Sequence, residues 1–586
     1  MVMKQLSYIL TGIAIIILST QLGCKKTSSF LDKKSTNTLN EATVFADSAM
    51  TMDFLANIYQ GLMTWRVSGA TADDPVNFLD AATDQGTQRY PSAGMLENQI
   101  ISGSFGGTFT GFLQNSWSLL YKNIRQANIY LTDVGLSPLS ASLKARSSAE
   151  ARFLRAYFYS LLMEGWGGVP LVGDTVYSLG ASGTNVRSTY ADCVDFVVSE
   201  LDDVASKLPL SFSGLDYGRI TKGACLALKS RVLLFAASPL YNGGSVATDA
   251  QLKELTGYTN ADPQRWQKAL QAAQDVVNLN QYQIETDNQT KPGYGFYQVF
   301  LKRINAEYIL PYMMGPNVYL ETYNLPPSRS WWNGYHRCPT QDMVDAFPMA
   351  NGLPITDPAS GYDPDNPYEN RDPRFYYSII YNGSMYYNKS GHKLKPVDTY
   401  LGAPQDGILP MSSGSATHTG YYWRKMMDEL IPRTGGGNTN RCLPVLRYAE
   451  ILLNLAEAAN ETNNTELAVD QLIAIRQRAG IEPGDDNRYG IPDNVNQNQL
   501  RKLIQNERFI ELAFEGKRFF DIRRWKMGPE LDGTYTHGMQ IIKDGNKFTY
   551  NIIELQKLYF KDNLYLFPLP QSEVGLNPEM LQNPGW

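Results

Sequence analysis

Aromatic rings and planar polar side chains are concentrated in one stretch of the second half of the chain, from Tyr319 to Arg337. The members of this set are Tyr319, Tyr323, Trp331, Trp332, Tyr335 and Arg337. The flat C–H faces of a sugar ring stack on aromatic side chains, and its hydroxyl groups need planar donors and acceptors. The stretch therefore predicts a platform that binds carbohydrate. Trp65, Asp84 and Tyr90 supply a second group of the same chemistry.

Each ring has an alternative place in the core or in an interface with a partner. A glycosidase would instead need two carboxylates facing each other about 5–10 Å apart. The chain has 58 acidic residues, so candidates exist, but GxSxG, HExxH and Walker-type motifs are missing. Its four histidines are not spaced as metal ligands. We predict no catalytic residues, no metal and no cofactor, and we expect the acidic loop around Asp363 to be a solvated turn, with a bound calcium ion as the alternative.

Other charged residues look like active-site groups, but their surroundings favour a structural role. They are Arg152, Arg155, Glu507, Arg508, Glu511, Glu515, Arg523 and Arg524. Several stand beside phenylalanines, where pairs of arginine and carboxylate usually connect helices. We expect Asn370-Arg-Asp-Pro-Arg374 to hold a turn through hydrogen bonds from side chains to the backbone.

The composition is that of a folded chain. Of 586 residues, 43% are hydrophobic, 12% aromatic and 19% charged, with a formal net charge of −6. This mildly acidic balance argues against nucleic acid or anionic lipid as a partner.

The N-terminus has the features of a bacterial export signal. Lys4 precedes an apolar run from Leu6 to Leu18, and Gly23-Cys24 follows. We predict a signal peptide over residues 1–23 and acylation of Cys24, although Gln21 stands where a lipobox usually has leucine. An ordinary cleaved signal with a chance cysteine is the alternative. Lipidation would hold the protein on a membrane surface.

The remaining cysteines are too far apart for a CxxC motif. They are Cys193, Cys225, Cys338 and Cys442. An exported protein allows disulfides, and buried free thiols are equally compatible with the sequence.

Helical periodicity dominates two parts of the chain. The predicted helices cover 117–131, 153–160, 190–207, 223–238, 264–279, 446–456 and 468–479, and Gly480 is predicted to end the last. Small residues on their contact faces resemble tetratricopeptide units. Between them the sequence is rich in Tyr, Pro, Gly and Asn, with extended runs such as Tyr376–Tyr381. We predict a mainly α-helical protein with a helical region over 24–290, a loop-rich ligand-binding insert with short strands over 291–441, and a helical region over 442–586 packed on the same unit.

Short motifs in order along the chain resemble the SusD/RagB family of outer-membrane nutrient-binding lipoproteins of Bacteroidota. They include Phe30-Leu-Asp32, Glu150-Ala-Arg-Phe-Leu-Arg-Ala-Tyr157, Gly167-Gly-Val-Pro-Leu171, Ala237-Ser-Pro-Leu-Tyr-Asn242, Asn370-Arg-Asp-Pro-Arg374, Leu446-Arg-Tyr-Ala-Glu450, Phe520-Asp-Ile-Arg-Arg-Trp525 and Gln582-Asn-Pro-Gly-Trp586. Each motif is weak alone, but together they span almost the whole chain.

This resemblance implies a SusD-like fold and a lipid-anchored protein of the outer membrane that faces the cell exterior. It implies capture of oligosaccharides and their delivery to a SusC-like TonB-dependent transporter. In the family an aromatic arc lies near the segment before Pro339, and the early loops also contact ligand. A secreted glycoside hydrolase, or a binder of peptides or glycoproteins that acts mainly as a transporter lid, stays open as an alternative.

Overall fold

Nineteen α-helices form most of the regular structure in the described part of the chain. The computed structural model describes residues 41–63, 78–88, 96–106, 112–177, 186–330, 337–389, 391–409, 416–431 and 438–586. The helices are α1 (Glu41–Phe45), α2 (Ser48–Tyr59), α3 (Leu96–Ile101), α4 (Phe112–Asp133), α5 (Ala141–Trp166), α6 (Tyr190–Ala205), α7 (Lys222–Ala237), α8 (Ala250–Thr256), α9 (Gln264–Asn278), α10 (Tyr294–Val299), α11 (Tyr319–Asn324), α12 (Gln341–Ala346), α13 (Pro373–Ser378), α14 (Tyr448–Glu461), α15 (Thr465–Ala479), α16 (Gln497–Glu511), α17 (Arg518–Arg524), α18 (Gly528–Leu531) and α19 (Gln571–Leu576).

The long helices pack side by side in the order α4, α5, α6, α7, α9, α14 and α15, and α16 packs on α14. Small side chains permit close contact, since Ala269, Ala272 and Ala273 of α9 are all buried. Polar caps begin several helices: Thr189 Oγ1 accepts a hydrogen bond from Asp192 N (3.1 Å), and Thr221 Oγ1 accepts one from Ala224 N (3.2 Å). The prediction of a mainly helical protein with paired helices is confirmed.

The ten described strands form five two-stranded sheets, and eight of these strands have at most six residues. They are β1 (Gly86–Gln88), β2 (Tyr308–Met313), β3 (Arg337–Pro339), β4 (Ile379–Ile380), β5 (Met385–Tyr387), β6 (Leu394–Pro396), β7 (Tyr422–Trp423), β8 (Cys442–Arg447), β9 (Tyr535–Asp544) and β10 (Lys547–Lys557). All pairs are antiparallel: β1 with β3, β2 with β8, β4 with β7, β5 with β6, and β9 with β10.

Residues 279–447 lie between the adjacent helices α9 and α14. The pairing of β2 with β8 places Tyr308 opposite Arg447, directly before α14. Both ends of this segment are therefore held together at the scaffold. The exact division at residues 290 and 441 stays a prediction.

Three details differ from the sequence predictions. Leu446 belongs to β8 rather than to the helix, because its strand runs directly into α14 at Tyr448. In the run Tyr376–Tyr381 only Ile379 and Ile380 are extended, since α13 continues to Ser378. The C-terminal region also contains the long β9–β10 hairpin, which was not predicted. Each of its strands is stabilised by side-chain pairs with the other strand, and the sequence alone does not identify this partner.

Four cysteines in the described residues, Cys193, Cys225, Cys338 and Cys442, are buried free thiols. None of the described helices combines the length and apolar character needed to cross a membrane. The predicted signal peptide and Cys24 lie outside the described residues.

Candidate functional site

The two aromatic segments of the sequence are attached to one antiparallel ribbon, β1–β3. Its register pairs Gly86 with Pro339 and Gln88 with Arg337. The chain leaves Gln88 toward Tyr90 at the same end at which it enters Arg337 from the tryptophan-containing segment. The described residues that flank these two segments, Gln88 and Arg337, therefore lie next to each other.

Thr340 fixes this ribbon to its surroundings. Its Oγ1 donates to the carbonyl oxygen of Asp84 (2.5 Å) and accepts a hydrogen bond from Met343 N (3.1 Å), which starts α12. The adjacent Asp342 holds His537 of β9: its two carboxylate oxygens lie 2.8 Å from the ring Nδ1 and 2.7 Å from the backbone nitrogen. Burial raises the pKa of Asp342, and the contacts with His537 lower it in part.

Helix α11 carries the remaining predicted rings. Tyr319 is 40% exposed and Tyr323 is half-buried, one turn apart on the same side of the helix. Between them Glu321 is buried and accepts a hydrogen bond from Arg441 (2.6 Å), which anchors the helix. Ser330, the last described residue before Trp331, donates from Oγ to the carbonyl oxygen of Thr322 (2.5 Å). The described residue before the tryptophans, Ser330, is therefore bound to α11, and the described residue after them, Arg337, belongs to β3.

Four of the nine predicted residues lie in the described part of the chain. Tyr319 and Tyr323 flank the site on α11, and Arg337 is buried in β3. Asp84 also supports the site, but its carboxylate is ion-paired with Arg518 of α17 (2.9 and 2.6 Å), so it ties the ribbon to the scaffold. Its contact with ligand stays a prediction. Five residues lie outside the described part of the chain: Trp65, Tyr90, Trp331, Trp332 and Tyr335.

Gln88 stands between the predicted residues Asp84 and Tyr90, lies opposite Arg337 and donates from Nε2 to Glu97 Oε1 (2.8 Å). Strand β1 is only three residues long. Its pairing with β3 was not predicted, because this pairing connects distant parts of the chain.

The dense charges of the C-terminal half are structural, as predicted. Glu511 accepts hydrogen bonds from Arg374 (3.0 Å), Arg447 (2.8 Å) and Arg478, and all four side chains are buried. Burial alone would raise the pKa of Glu511, but the positive charges of Arg478, Arg447 and Arg374 hold it well below its usual range. A carboxylate so enclosed is a poor general acid.

The neighbouring charges follow the same pattern. Glu507 pairs with Arg374 and Arg476, Glu515 with Arg447 and Lys425, Arg508 with Asp521, Arg524 with Glu457 and Asp521, and both Arg152 and Arg155 with Glu200. Arg523 is different from the expected carboxylate pair. Its guanidinium lies 3.4 Å from the centre of the Phe519 ring and donates to that residue's carbonyl oxygen (2.9 Å).

The turn around Asn370–Arg374 is held as predicted. Arg371 donates to the carbonyl oxygens of Pro367, Val344 and Phe347. Asp363 accepts a hydrogen bond from the backbone of Asp365 within its own turn. Among the described residues, no group of three or more His, Cys, Asp or Glu is arranged to hold a metal ion.

Two family models match complementary parts of the chain. The one described as "SusD family" matches residues 312–586, and the one described as "Starch-binding associating with outer membrane" matches residues 29–234. Among characterised sequences, SusD-like protein P2 of Formosa agariphila is 35% identical over 159 residues, 27% of this chain and 28% of that protein. SusD-like protein P38 of the same organism is 22% identical over 438 residues, 72% of this chain and 74% of that protein.

Solved structures are similar over nearly the full length. A SusD-like protein from Bacteroides fragilis is 27% identical, with a TM-score of 0.73 over 93% of this chain and 98% of that one. A SusD-like carbohydrate-binding protein from the same species is 25% identical, with a TM-score of 0.70 over 92% of this chain and 100% of that one. With its fold, its motifs and both family models in agreement, the chain belongs to the SusD/RagB family.

Proposed function

We propose that the chain is a glycan-binding protein whose site lies at the β1–β3 ribbon and α11. The observation that carries this proposal is the position of the described residues that flank the two ring-bearing segments: Gln88 pairs with Arg337 in the ribbon, and Ser330 is bound to α11, which carries Tyr319 and Tyr323. Such a site combines stacking faces with planar polar groups, which is what a sugar requires.

The names of similar proteins agree with this chemistry. One structural relative is described as a carbohydrate-binding protein, and one matching family model is described as starch-binding. The glycosidase alternative is less well supported, because the most prominent carboxylates, Glu507, Glu511 and Glu515, are buried against arginines. We therefore propose binding without hydrolysis.

The same proposal includes the cellular role. Acylated Cys24 would anchor the protein in the outer membrane with its binding site facing the cell exterior. There it would pass captured oligosaccharides to a SusC-like TonB-dependent transporter and cover the mouth of that barrel. A protein that binds peptides or glycoproteins and acts mainly as this lid is the second candidate.

A glycan array followed by a reducing-end assay on the bound glycans tests the proposal. We expect saturable binding of at least one oligosaccharide family, with no new reducing ends after prolonged incubation. Turnover that two carboxylate substitutions abolish would establish the glycosidase alternative. Binding of a peptide library without any bound glycan would establish the second candidate.

A further inference from the structure

A second groove with rings and polar groups lies on the helical scaffold. Its volume is about 410 Å³, within the range of about 300–1,000 Å³ that is typical of ligand pockets. Helices α7, α9, α14 and α16 line it together with Trp525, which follows α17. Nothing in the proposed function uses this groove.

Two tryptophans supply the stacking surfaces. Trp525 is half-buried and fixed, since its Nε1 donates to Glu457 Oε1 (2.7 Å) and the guanidinium of Arg524 lies 4.5 Å from its ring. Arg524 is fully buried, whereas the half-buried Trp525 lines the groove. Trp266, in the first turn of α9, is half-buried against the alanine cluster of Ala237, Ala269 and Ala458.

Polar groups stand beside these rings on one face of α16. Arg501 holds Glu461 through two hydrogen bonds (2.6 and 2.7 Å). One turn later, half-buried Gln505 also lines the groove, and its amide has no hydrogen-bond partner within the described ranges. This amide offers a planar donor and acceptor to a ligand.

The charges in the groove are balanced. Glu461 is neutralised by Arg501, and Glu457 by Arg524. A charged ligand would therefore find no unpaired opposite charge, whereas a neutral polyol would find stacking faces and hydrogen-bonding groups. We propose that this groove is a second saccharide-binding site, which takes one or two rings of a neutral sugar between Trp266 and Trp525.

The groove is separate from the β1–β3 ribbon, and helix α17 lies between them. Arg518, its first residue, pairs with Asp84 of the ribbon loop, whereas Trp525 follows its last residue. Seven residues of α-helix span about 10 Å. The second site is thus independent of the proposed function, and each can fail without the other.

Fluorine NMR of protein labelled with 5-fluorotryptophan tests the groove directly. The chain has 9 tryptophans, and Trp266→Phe assigns the signal of that ring. The probes are maltohexaose, cellohexaose, mannohexaose and xylohexaose, with hexagalacturonate as a charged control and indole as an aromatic control. Titrations use the wild type and the double variant Trp331→Ala/Trp332→Ala, which lacks the predicted platform of the first site.

We expect at least one neutral hexasaccharide to shift the Trp266 signal saturably in both proteins, and hexagalacturonate not to do so. Gln505→Ala should weaken that binding by roughly two- to ten-fold, the effect of one lost hydrogen bond. An unmoved Trp266 signal with every saccharide overturns the proposal, as does a shift with indole alone. A shift in the wild type that vanishes in the double variant would assign the effect to the first site and would also overturn it.

Discussion

Glu511 shows how a single buried carboxylate can hold several segments of this chain. Arg374 comes from α13, Arg447 from β8 and Arg478 from α15, and all three converge on it. We expect Glu511→Ala to destabilise the fold by about 3–5 kcal/mol, because it leaves three buried guanidinium groups undercompensated. Urea denaturation measures this change.

Asp470→Ala provides a matched control, since Asp470 is an exposed acid on α15. Its effect should stay within about 0.5 kcal/mol. Glycan affinity of the folded Glu511→Ala protein should be unchanged. A large loss of affinity at unchanged stability would place Glu511 in the binding site instead.

Substitutions in the predicted aromatic platform should lower affinity and leave stability unchanged, the reverse of Glu511→Ala. Of Trp331→Ala and Trp332→Ala, we expect at least one to lose about 1–3 kcal/mol of binding free energy, because a central ring contributes much of the affinity of such a site. Isothermal titration calorimetry measures the loss, and the melting temperature should not move. If both variants bind normally but unfold early, the rings belong to the core.

At the scale of elements, the end of α15 depends on one glycine. Gly480 has φ of 79°, and a Cβ at this position would lie 2.5 Å from Gly293 N. We expect Gly480→Ala to lower the free energy of unfolding by at least about 1 kcal/mol, as measured by thermal unfolding. Alanine disfavours this backbone conformation, and its Cβ would clash with Gly293. Gly135→Ala is the control, since an added Cβ there meets nothing within 4 Å. Equal melting temperatures would contradict this account.

Elements with a strong local period could be predicted from the sequence. The alanines of α9 and the glycine that ends α15 are examples, because both depend on residues within a few turns. The β1–β3 ribbon and the β9–β10 hairpin could not be predicted, since strand pairing depends on partners that the sequence does not name. For the same reason the motifs indicated that Glu511 and Arg374 are structural, but not that they touch.

For the whole molecule, the buried ion pairs connect stability to pH. Burial alone would raise the pKa values of Glu507, Glu511 and Glu515, but the neighbouring arginines, with Lys425, lower them below the usual value. Their stabilisation is present above the unfolded pKa of about 4.3 and is lost as the pH falls toward the folded values.

The stability difference between wild type and Glu511→Gln isolates this effect from other titrating groups. We expect it to be constant from pH 7 to about pH 5 and then to shrink by up to about 1.4 kcal/mol per pH unit below about pH 4. Urea denaturation at a series of pH values measures it. A difference independent of pH would show that the pKa of Glu511 is the same in the folded and unfolded protein, and would contradict the lowered pKa.

The predicted lipid anchor acts on the whole molecule as well. Cys24→Ala should release the protein from the membrane fraction, or retain its signal peptide, because the acceptor thiol is missing. Detergent phase partitioning followed by mass spectrometry of the N-terminus measures both. Unchanged partitioning into the detergent phase would contradict acylation.

The arrangement of α9 beside α14 also determines when this protein can fold. The face of α9 that carries Ala269, Leu270 and Val277 packs against α14, which follows residues 279–447. Closing so long a loop has an entropic cost, which is offset only by the contacts that form once α14 packs on α9. The first helices are therefore synthesised long before all the packed helices are present. The apolar face of α9 stays uncovered until Tyr448–Glu461 has been made. The chain is therefore vulnerable to aggregation while it is being made. Any truncation before α14 should leave this face of α9 permanently exposed.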